Sequence, residues 1–456
     1  MNEEDFKRLL GAKILSEAND LKRTVDAMAS EIGVDNAKLR EIIKGNCTLE
    51  EAHRVIQRMS EIYPVNVSDI ILVRDDCDHG VKIMRAEDSE ASSRIFDRKN
   101  RNGKRTPYYE YRDTAMSRVA PFRPEWIREL RFVSDDSPLN SDVAYNNGHG
   151  LHQMTFFVGP VNFYWEVNGE RFCKEMNTGD SNYITPFWPH SFTTRDLSQK
   201  ALILAVTFGG DVRRAQSELY TLGQRGIQGY TLDYRNSPKA FAKLIGQHMA
   251  NENMSVNNLM ARIRAESLDL KLNGILRGER EPSAEELGVL ARCLNVDVTD
   301  LMVPKYDPAG EVFVNHRSDS DAYFYPSDAE RAYSIQLLAR TTRMPLAKGF
   351  DIEVITRGIN MRKPLCSSLH GWVFNYGGSS VRMVWSLEGE QFDDFLEPDD
   401  SVYIQPFVSH AFSNVRDRNA RLCAMNVGGH VNLATQRELS YFSDVARVIE
   451  KKQWFD

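Results

Sequence analysis

Asp180-Ser181-Asn182-Tyr183-Ile184-Thr185-Pro186-Phe187-Trp188-Pro189-His190-Ser191-Phe192 returns 220 residues later as Asp400-Ser401-Val402-Tyr403-Ile404-Gln405-Pro406-Phe407-Val408-Ser409-His410-Ala411-Phe412. Upstream of it, Val161, Trp165, Gly169 and Glu170 return as Val381, Trp385, Gly389 and Glu390, and Leu151-His152 returns as Leu369-His370. Tyr, Phe, Val and Ile alternate with polar residues through these stretches, and Gly and Pro punctuate them, which predicts strands and tight turns. The 456-residue chain is therefore expected to hold two related β-barrels.

A helical segment precedes each barrel. Within residues 5–73, Met28, Ile32, Leu39, Ile42, Ile43, Val55, Ile56 and Met59 recur at helical spacing, with Gly33 and Gly45 as breakers. Residues 237–304 repeat the pattern with Leu259, Ile263, Leu268, Leu272, Ile275 and Leu276, then Gly278. The expected class is α+β, a tandem repeat of helical unit and barrel: helical 1–75, barrel 76–235, helical 236–305, barrel 306–456. Residues 28–34 followed by 39–45 resemble a helix-turn-helix of the phage-repressor type. Charge argues against DNA as the partner. Residues 1–75 hold 11 Lys+Arg against 14 Asp+Glu, a net of −3, and residues 236–300 hold 8 against 9, a net of −1. Binding to a duplex needs positive surface to displace counterions, and Asp35 would open the recognition helix against phosphate. A scaffold role is expected, with no nucleic acid.

The first barrel carries Asn146-Asn147-Gly148-His149-Gly150-Leu151-His152-Gln153, and His190 follows Gln153 by 37 residues. If residues 149–158 form a strand, His149, Leu151 and Gln153 share a face. Two His with a third ligand and open positions suit non-haem Fe(II) oxygen chemistry. Here the third ligand is a neutral amide. The plainer alternative is that His149 and Gln153 hydrogen-bond each other in a polar barrel mouth. The second barrel has Ser367, Gly371 and His410 at the equivalent places, so one Fe(II) per chain is expected, on His149, Gln153 and His190. The second barrel is then a structural or gating copy. His152 has the opposite parity and a counterpart in His370, and is read as structural. Trp188 and Phe192 would wall His190 into a partly dry pocket.

Composition narrows the class. Hydrophobic content of 42%, charged content of 27% and a net charge of −7 are those of a soluble globular protein. No run of roughly 18 apolar residues occurs, so no transmembrane helix is expected. The acidic start, Met1-Asn2-Glu3-Glu4-Asp5, is unlike a secretory signal. Cysteines 47, 77, 173, 293, 366 and 423 are scattered without a C-x-x-C pair. They read as reduced thiols, and a cytoplasmic location is expected.

At these residues the chain resembles the phosphonate-oxidising iron cupins: hydroxypropylphosphonate epoxidase, hydroxyethylphosphonate dioxygenase and methylphosphonate synthase. The resemblance covers essentially the whole chain and implies cupin (double-stranded β-helix) barrels. The epoxidase pattern is H-x3-E then His, where this chain has H-x3-Q then His. The dioxygenase places its carboxylate ligand six residues before the second His, where this chain has Ile184. Gln153, with Ile184 and with Phe374 in the second barrel, most resembles the methylphosphonate synthase branch. That branch implies conversion of 2-hydroxyethylphosphonate and O2 to methylphosphonate and CO2, with Fe(II) and no added reductant.

Residue by residue, the resemblance assigns phosphonate binding to Tyr109, Arg101 and Asn146. It makes Lys22 the lysine that reaches the iron, from this chain or from a neighbouring subunit of a homodimer or homotetramer. Phe374 would press on the ligands and hold Gln153, and with Ile184 would set the product. The plainer readings are a solvent-facing Lys22, an ordinary core for Ile184 and Phe374, and a solvated basic loop for the stretch from Arg98 to Arg112. Two other functions stay open: a sister enzyme giving hydroxymethylphosphonate and formate, and a regulator that binds a small phosphonate.

Overall fold

The computed structural model of the chain describes residues 2–266, 270–305, 310–416 and 420–448; Leu268 lies outside them. Helices α1 (Glu3–Asp20), α2 (Val25–Ile32), α3 (Asn36–Ile43) and α4 (Leu49–Ile62) come first. Thr24, Asp35 and Thr48 cap the last three by accepting the N–H groups of Ala27, Lys38 and Glu51, each satisfying a donor the helix leaves open. Asp35 thus serves its own helix. Leu10, Ile14, Met28, Leu39, Ile42, Val55, Ile56 and Met59 close the core between these helices.

A second helical body, Gly209–Gly310 with Thr341–Arg343, is a compact unit of its own. Its helices α5 (Ser237–Asn251), α6 (Val256–Ala265), α7 (Leu272–Leu276) and α8 (Ala284–Leu294) bury Leu259, Ile263, Leu272 and Ile275 together. A further helix, Gln216–Tyr230, belongs to this unit, which therefore begins ahead of residue 236. No helix among the described residues is long and apolar enough to cross a membrane.

Both barrels lie in the other unit. The strands are β1 (Val81–Met84), β2 (Arg94–Lys99), β3 (Arg105–Asp113), β4 (Phe122–Glu129), β5 (His152–Val158), β6 (Val161–Val167), β7 (Glu170–Met176), β8 (Ser181–Ile184), β9 (His190–Thr194) and β10 (Leu202–Phe208). After the helical insertion come β11 (Val312–Asn315), β12 (Tyr323–Tyr325), β13 (Tyr333–Leu337), β14 (Ala347–Val354), β15 (His370–Asn375), β16 (Val381–Leu387), β17 (Glu390–Leu396), β18 (Ser401–Ile404), β19 (Ser409–Asn414) and β20 (Ala420–Val427). One barrel sets the sheet β11-β8-β5-β10-β4-β3-β2 with β7-β6-β9; the other sets β1-β18-β15-β20-β14-β13-β12 with β17-β16-β19.

The hydrogen bonding departs from four consecutive independent blocks. β1 precedes the first barrel in sequence but pairs with β18 of the second, and β11 precedes the second but pairs with β8 of the first. Beyond β8 and β18 a row of backbone N–H and C=O groups would stand open, and each half of the chain covers the edge of the other. The repeated Asp-Ser pair fastens this exchange. Asp400 accepts from Ala86 N at 2.8 Å and Arg85 at 3.0 Å, and Asp180 accepts from Arg317 N at 2.8 Å. Ser401 Oγ accepts from Ala115 N and Ser181 Oγ from Ala339 N, both at 2.8 Å.

Period-two alternation sorts the interior. Met154 and Phe156 of β5 face a core shared with Trp126, Tyr183, Trp372, Phe374 and Tyr403 from both barrels. Phe157 faces the first barrel's own core with Ile184, Phe192 and Ile203. His152 falls on the shared side, its Nδ1 3.0 Å from Tyr183 Oη, as His370 Nδ1 is 2.6 Å from Tyr403 Oη.

Candidate metal centre

Two loops bring the ligand residues together. β5 begins at His152, so His149 sits in the loop before it, not on a strand as its spacing suggested. That loop is laced to the start of β9: Asn146 N donates to His190 O at 3.0 Å, His190 N to Asn146 Oδ1 at 2.9 Å, and Phe187 N to His149 O at 2.8 Å. Gly148 is required here. Its φ is +73°, and a Cβ would stand 2.4 Å from the Phe187 carbonyl carbon, a clash no side chain avoids.

The donor atoms then converge. His149 Nδ1 lies 3.0 Å from Leu151 O, and His190 Nδ1 2.9 Å from Trp188 O. Each contact assigns the ring proton to Nδ1 and leaves Nε2 as an acceptor, which on His190 faces the Asn146 amide Nδ2 at 3.0 Å. The two rings stand 5.2 Å apart and nearly perpendicular. Gln153 is 5% exposed, and its amide Nε2 donates to Thr155 Oγ1 at 2.9 Å. This turns Gln153 Oε1 toward His149 Nε2, 3.2 Å away. With those tautomers, two acceptors face each other in a partly buried place, which is unfavourable unless a cation lies between them. The donor set fits Fe(II): two imidazole nitrogens and one amide oxygen on one side. Burial lowers the His190 pKa to about 4, so the ring is neutral at physiological pH, as a ligand must be. A separate trio, Asp75, Asp76 and Cys77, is engaged otherwise, Asp76 by Lys82 and Ser117 at 2.6 Å each and Asp75 by Gln405 of the second barrel at 2.9 Å.

The remaining expected residues divide. Ile184 is the cross-strand partner of Gln153 on β8 and is 1% exposed, so its side chain backs the amide ligand. Asn146 is also at the centre, its Nδ2 3.0 Å from His190 Nε2. Phe374 is not beside Gln153. It belongs to the core between the barrels, 5.9 Å from the Trp372 ring, because β15 turns Val373 inward and Phe374 outward. Tyr109 is buried, and its hydroxyl accepts from Phe192 N at 2.9 Å with Ser191 Oγ at 3.3 Å. Tyr333 does the same for Phe412 N in the second barrel, so this hydroxyl serves the barrel wall.

Arg101 is exposed and paired with Asp142 at 3.4 Å. Lys22 is exposed at the end of α1, in a left-handed turn with φ of 58°, its Nζ 3.5 Å from Asn19 O. Lys22 lies outside the cluster of ligands.

Thr155 escaped the sequence, and Arg98 stood there only as one residue of the basic stretch. Thr155 aims Gln153; its position two residues on, along the same face of one strand, was the available signal. Arg98 is half-buried, with its guanidinium 5.8 Å and 5.6 Å from the Tyr108 and Tyr109 rings. Its charge is among those that disfavour a proton on His190. It makes no ion pair or hydrogen bond among the described residues. Arg98 lies three residues before Arg101 in the basic stretch, and only the strand geometry separates the two.

No family model matches the chain. It is 38% identical over 455 residues, 98% of this chain and 95% of the relative, to the methylphosphonate synthase of Nitrosopumilus maritimus. It superposes on Streptomyces albus HEPD, solved with 2-hydroxyethylphosphonate and Fe(II) bound, with a TM-score of 0.88 and 33% identity across 98% of this chain and 99% of that one. Cadmium-bound PhpD, at 19% identity and a TM-score of 0.72 over 97% of this chain and 99% of that one, shares the fold. On the relationship to the Nitrosopumilus protein, the chain belongs to the methylphosphonate synthase family of non-haem iron oxygenases.

Proposed function

We propose that this protein oxidises 2-hydroxyethylphosphonate with O2 to methylphosphonate and CO2, with Fe(II) held by His149, Gln153 and His190. One observation carries the reading: the Gln153 carbonyl and the His149 lone pair are aimed at each other by Thr155 and Leu151 O. Bound Fe(II) would supply O2 activation and an anchor for the substrate's oxygens. A neutral Gln ligand leaves the metal its full charge, which suits a dianionic phosphonate.

The chain's own residues bind, orient and keep the site dry. Arg98 is the cation we assign to the phosphonate, since its guanidinium lies over the Tyr108 and Tyr109 rings without an ion pair or hydrogen bond among the described residues, and a fork of N–H donors matches phosphonate oxygens. Asn146 Nδ2 holds the rim of the His190 ring and offers a second donor. Ile184, Phe192 and Trp165 wall the ligands and exclude water. Lys22 would serve this site if a second copy of the chain presents it, as in a homodimer or homotetramer. Both helical units, read as helix-turn-helix-like repeats, are taken as scaffold.

Arg98→Ala is expected to lower kcat/KM roughly ten- to hundredfold, the worth of a charge-assisted hydrogen bond, whereas Arg101→Ala stays within about twofold of wild type because it breaks an exposed ion pair. Steady-state kinetics on the two variants decide between them. The whole reading is tested by anaerobic loading with Fe(II), addition of 2-hydroxyethylphosphonate and O2, and phosphorus NMR of the products. Methylphosphonate as the main product supports it. Hydroxymethylphosphonate with formate instead would assign the chain to the sister reaction, for which the likeness to HEPD speaks.

A further inference from the structure

The second barrel has lost its metal ligands but not its interior. Gly371 stands where the first barrel has Gln153, and around it opens a cavity of about 290 Å³, near the small end of ligand sites, roughly 300–1,000 Å³. Tyr325, Phe350, Val373 and Phe412 give it apolar walls. Among its polar lining side chains, Lys348 of β14, Asn426 of β20 and His410 of β19 are unlike the apolar wall. Lys348 of β14 and Asn426 of β20 are direct cross-strand partners, both are half-buried, and neither side chain has a hydrogen-bond or ion-pair partner among the described residues. His410 lines the same cavity. Its Nδ1 faces Val408 O at 3.0 Å, which assigns the proton to Nδ1 and leaves Nε2 as an acceptor.

Half-buried polar groups without partners are costly when nothing solvates or binds them, and here a cation, an amide and an acceptor share one small apolar chamber. We infer that the second barrel is a binding site for a small hydroxylated organic anion, with its acidic head on Lys348 and Asn426 Nδ2 and its hydroxyl donating to His410 Nε2. A hydroxycarboxylate and a hydroxyalkylphosphonate both present that chemistry. The site is separate from the metal centre and does not rest on the reaction assigned there.

The test is titration calorimetry on the full-length, iron-free chain carrying His190→Ala and Arg98→Ala, so that the first barrel is disabled. The probes are 2-hydroxy-2-methylpropanoate, its hydroxyl-free analogue 2-methylpropanoate, and 2-hydroxyethylphosphonate. Saturable binding of at least one hydroxylated probe at one per chain is expected, and 2-methylpropanoate should bind more weakly than its hydroxylated analogue. Lys348→Met should weaken binding roughly ten- to hundredfold, and Gly371→Leu, which fills the chamber, should abolish it. A Cβ at Gly371 meets Asn426 Oδ1 at 3.2 Å and Ile404 Cβ at 3.6 Å, so circular dichroism must first show that this variant folds; Lys348→Met, at a half-exposed position, stands alone if it does not. No saturable binding, equal binding of the two carboxylates, or affinity unchanged by Lys348→Met overturns the inference.

Discussion

His190→Ala is expected to yield a folded protein that retains no stoichiometric iron and turns over at least about a thousandfold more slowly, since a catalytic metal supplies several kcal/mol of stabilisation. The expectation follows from how the residue is held. Its backbone N–H and C=O are tied to Asn146, and the substitution keeps those bonds while it removes the imidazole, with its inward nitrogen and its contact to Trp188 O. Far-UV circular dichroism and metal analysis on the same preparation separate the two effects. Full iron content in the variant would remove His190 from the ligand set. Equivalent truncation of His410 should leave iron content at one per chain, because Ser367 and Gly371 offer no companion ligands there.

Phe374→Ala is expected to cost about 3–5 kcal/mol of stability, the usual toll for emptying a fully buried aromatic site, and to leave the ratio of phosphonate products unchanged. Phe374 is 1% exposed and packs in the core where the two large sheets meet. Ile184, in contrast, is paired with Gln153, so a product shift, if side chains behind the ligands control it, belongs to Ile184 variants. Urea denaturation and phosphorus NMR of the two variants measure both halves of the claim. A changed product ratio in Phe374→Ala with unchanged stability would restore that residue to the ligand surroundings.

The repeat made the barrels legible, because a strand's period of two and its Gly and Pro punctuation are local properties that survive duplication. The convergence of His149, Gln153 and His190 was legible too, since they lie close to two recognisable turns. What stayed hidden depends on which way a face looks. Phe374 and Val373 differ by one position, yet one lines the space between barrels and the other the interior. Matching residues to a family could not distinguish Arg98 from Arg101, three positions apart, until the strand put one beside the Tyr108 and Tyr109 rings and the other beside Asp142. Tyr109 carries the right functional group, but its hydroxyl is held by Phe192 N, and only Tyr333 in the copy reveals that as a wall contact. Strand exchange left no local mark, because β1 and β11 look like any short strand and their partners lie hundreds of residues away in sequence.

That exchange governs how the chain can be divided. A gene cut after the first barrel would produce a fragment whose β8 lacks β11, and its β1 would have no β18 to join. Each fragment would carry an open, hydrogen-bonding margin of the sort that recruits foreign strands and drives aggregation. The margin on β8 runs past Ile184, directly behind the amide ligand, so a fragment would fray at its most sensitive point. The duplicated half-chains are thus bound to one polypeptide by topology, since β11 of the second half completes the sheet that carries Gln153 and β1 of the first completes the sheet that carries Gly371.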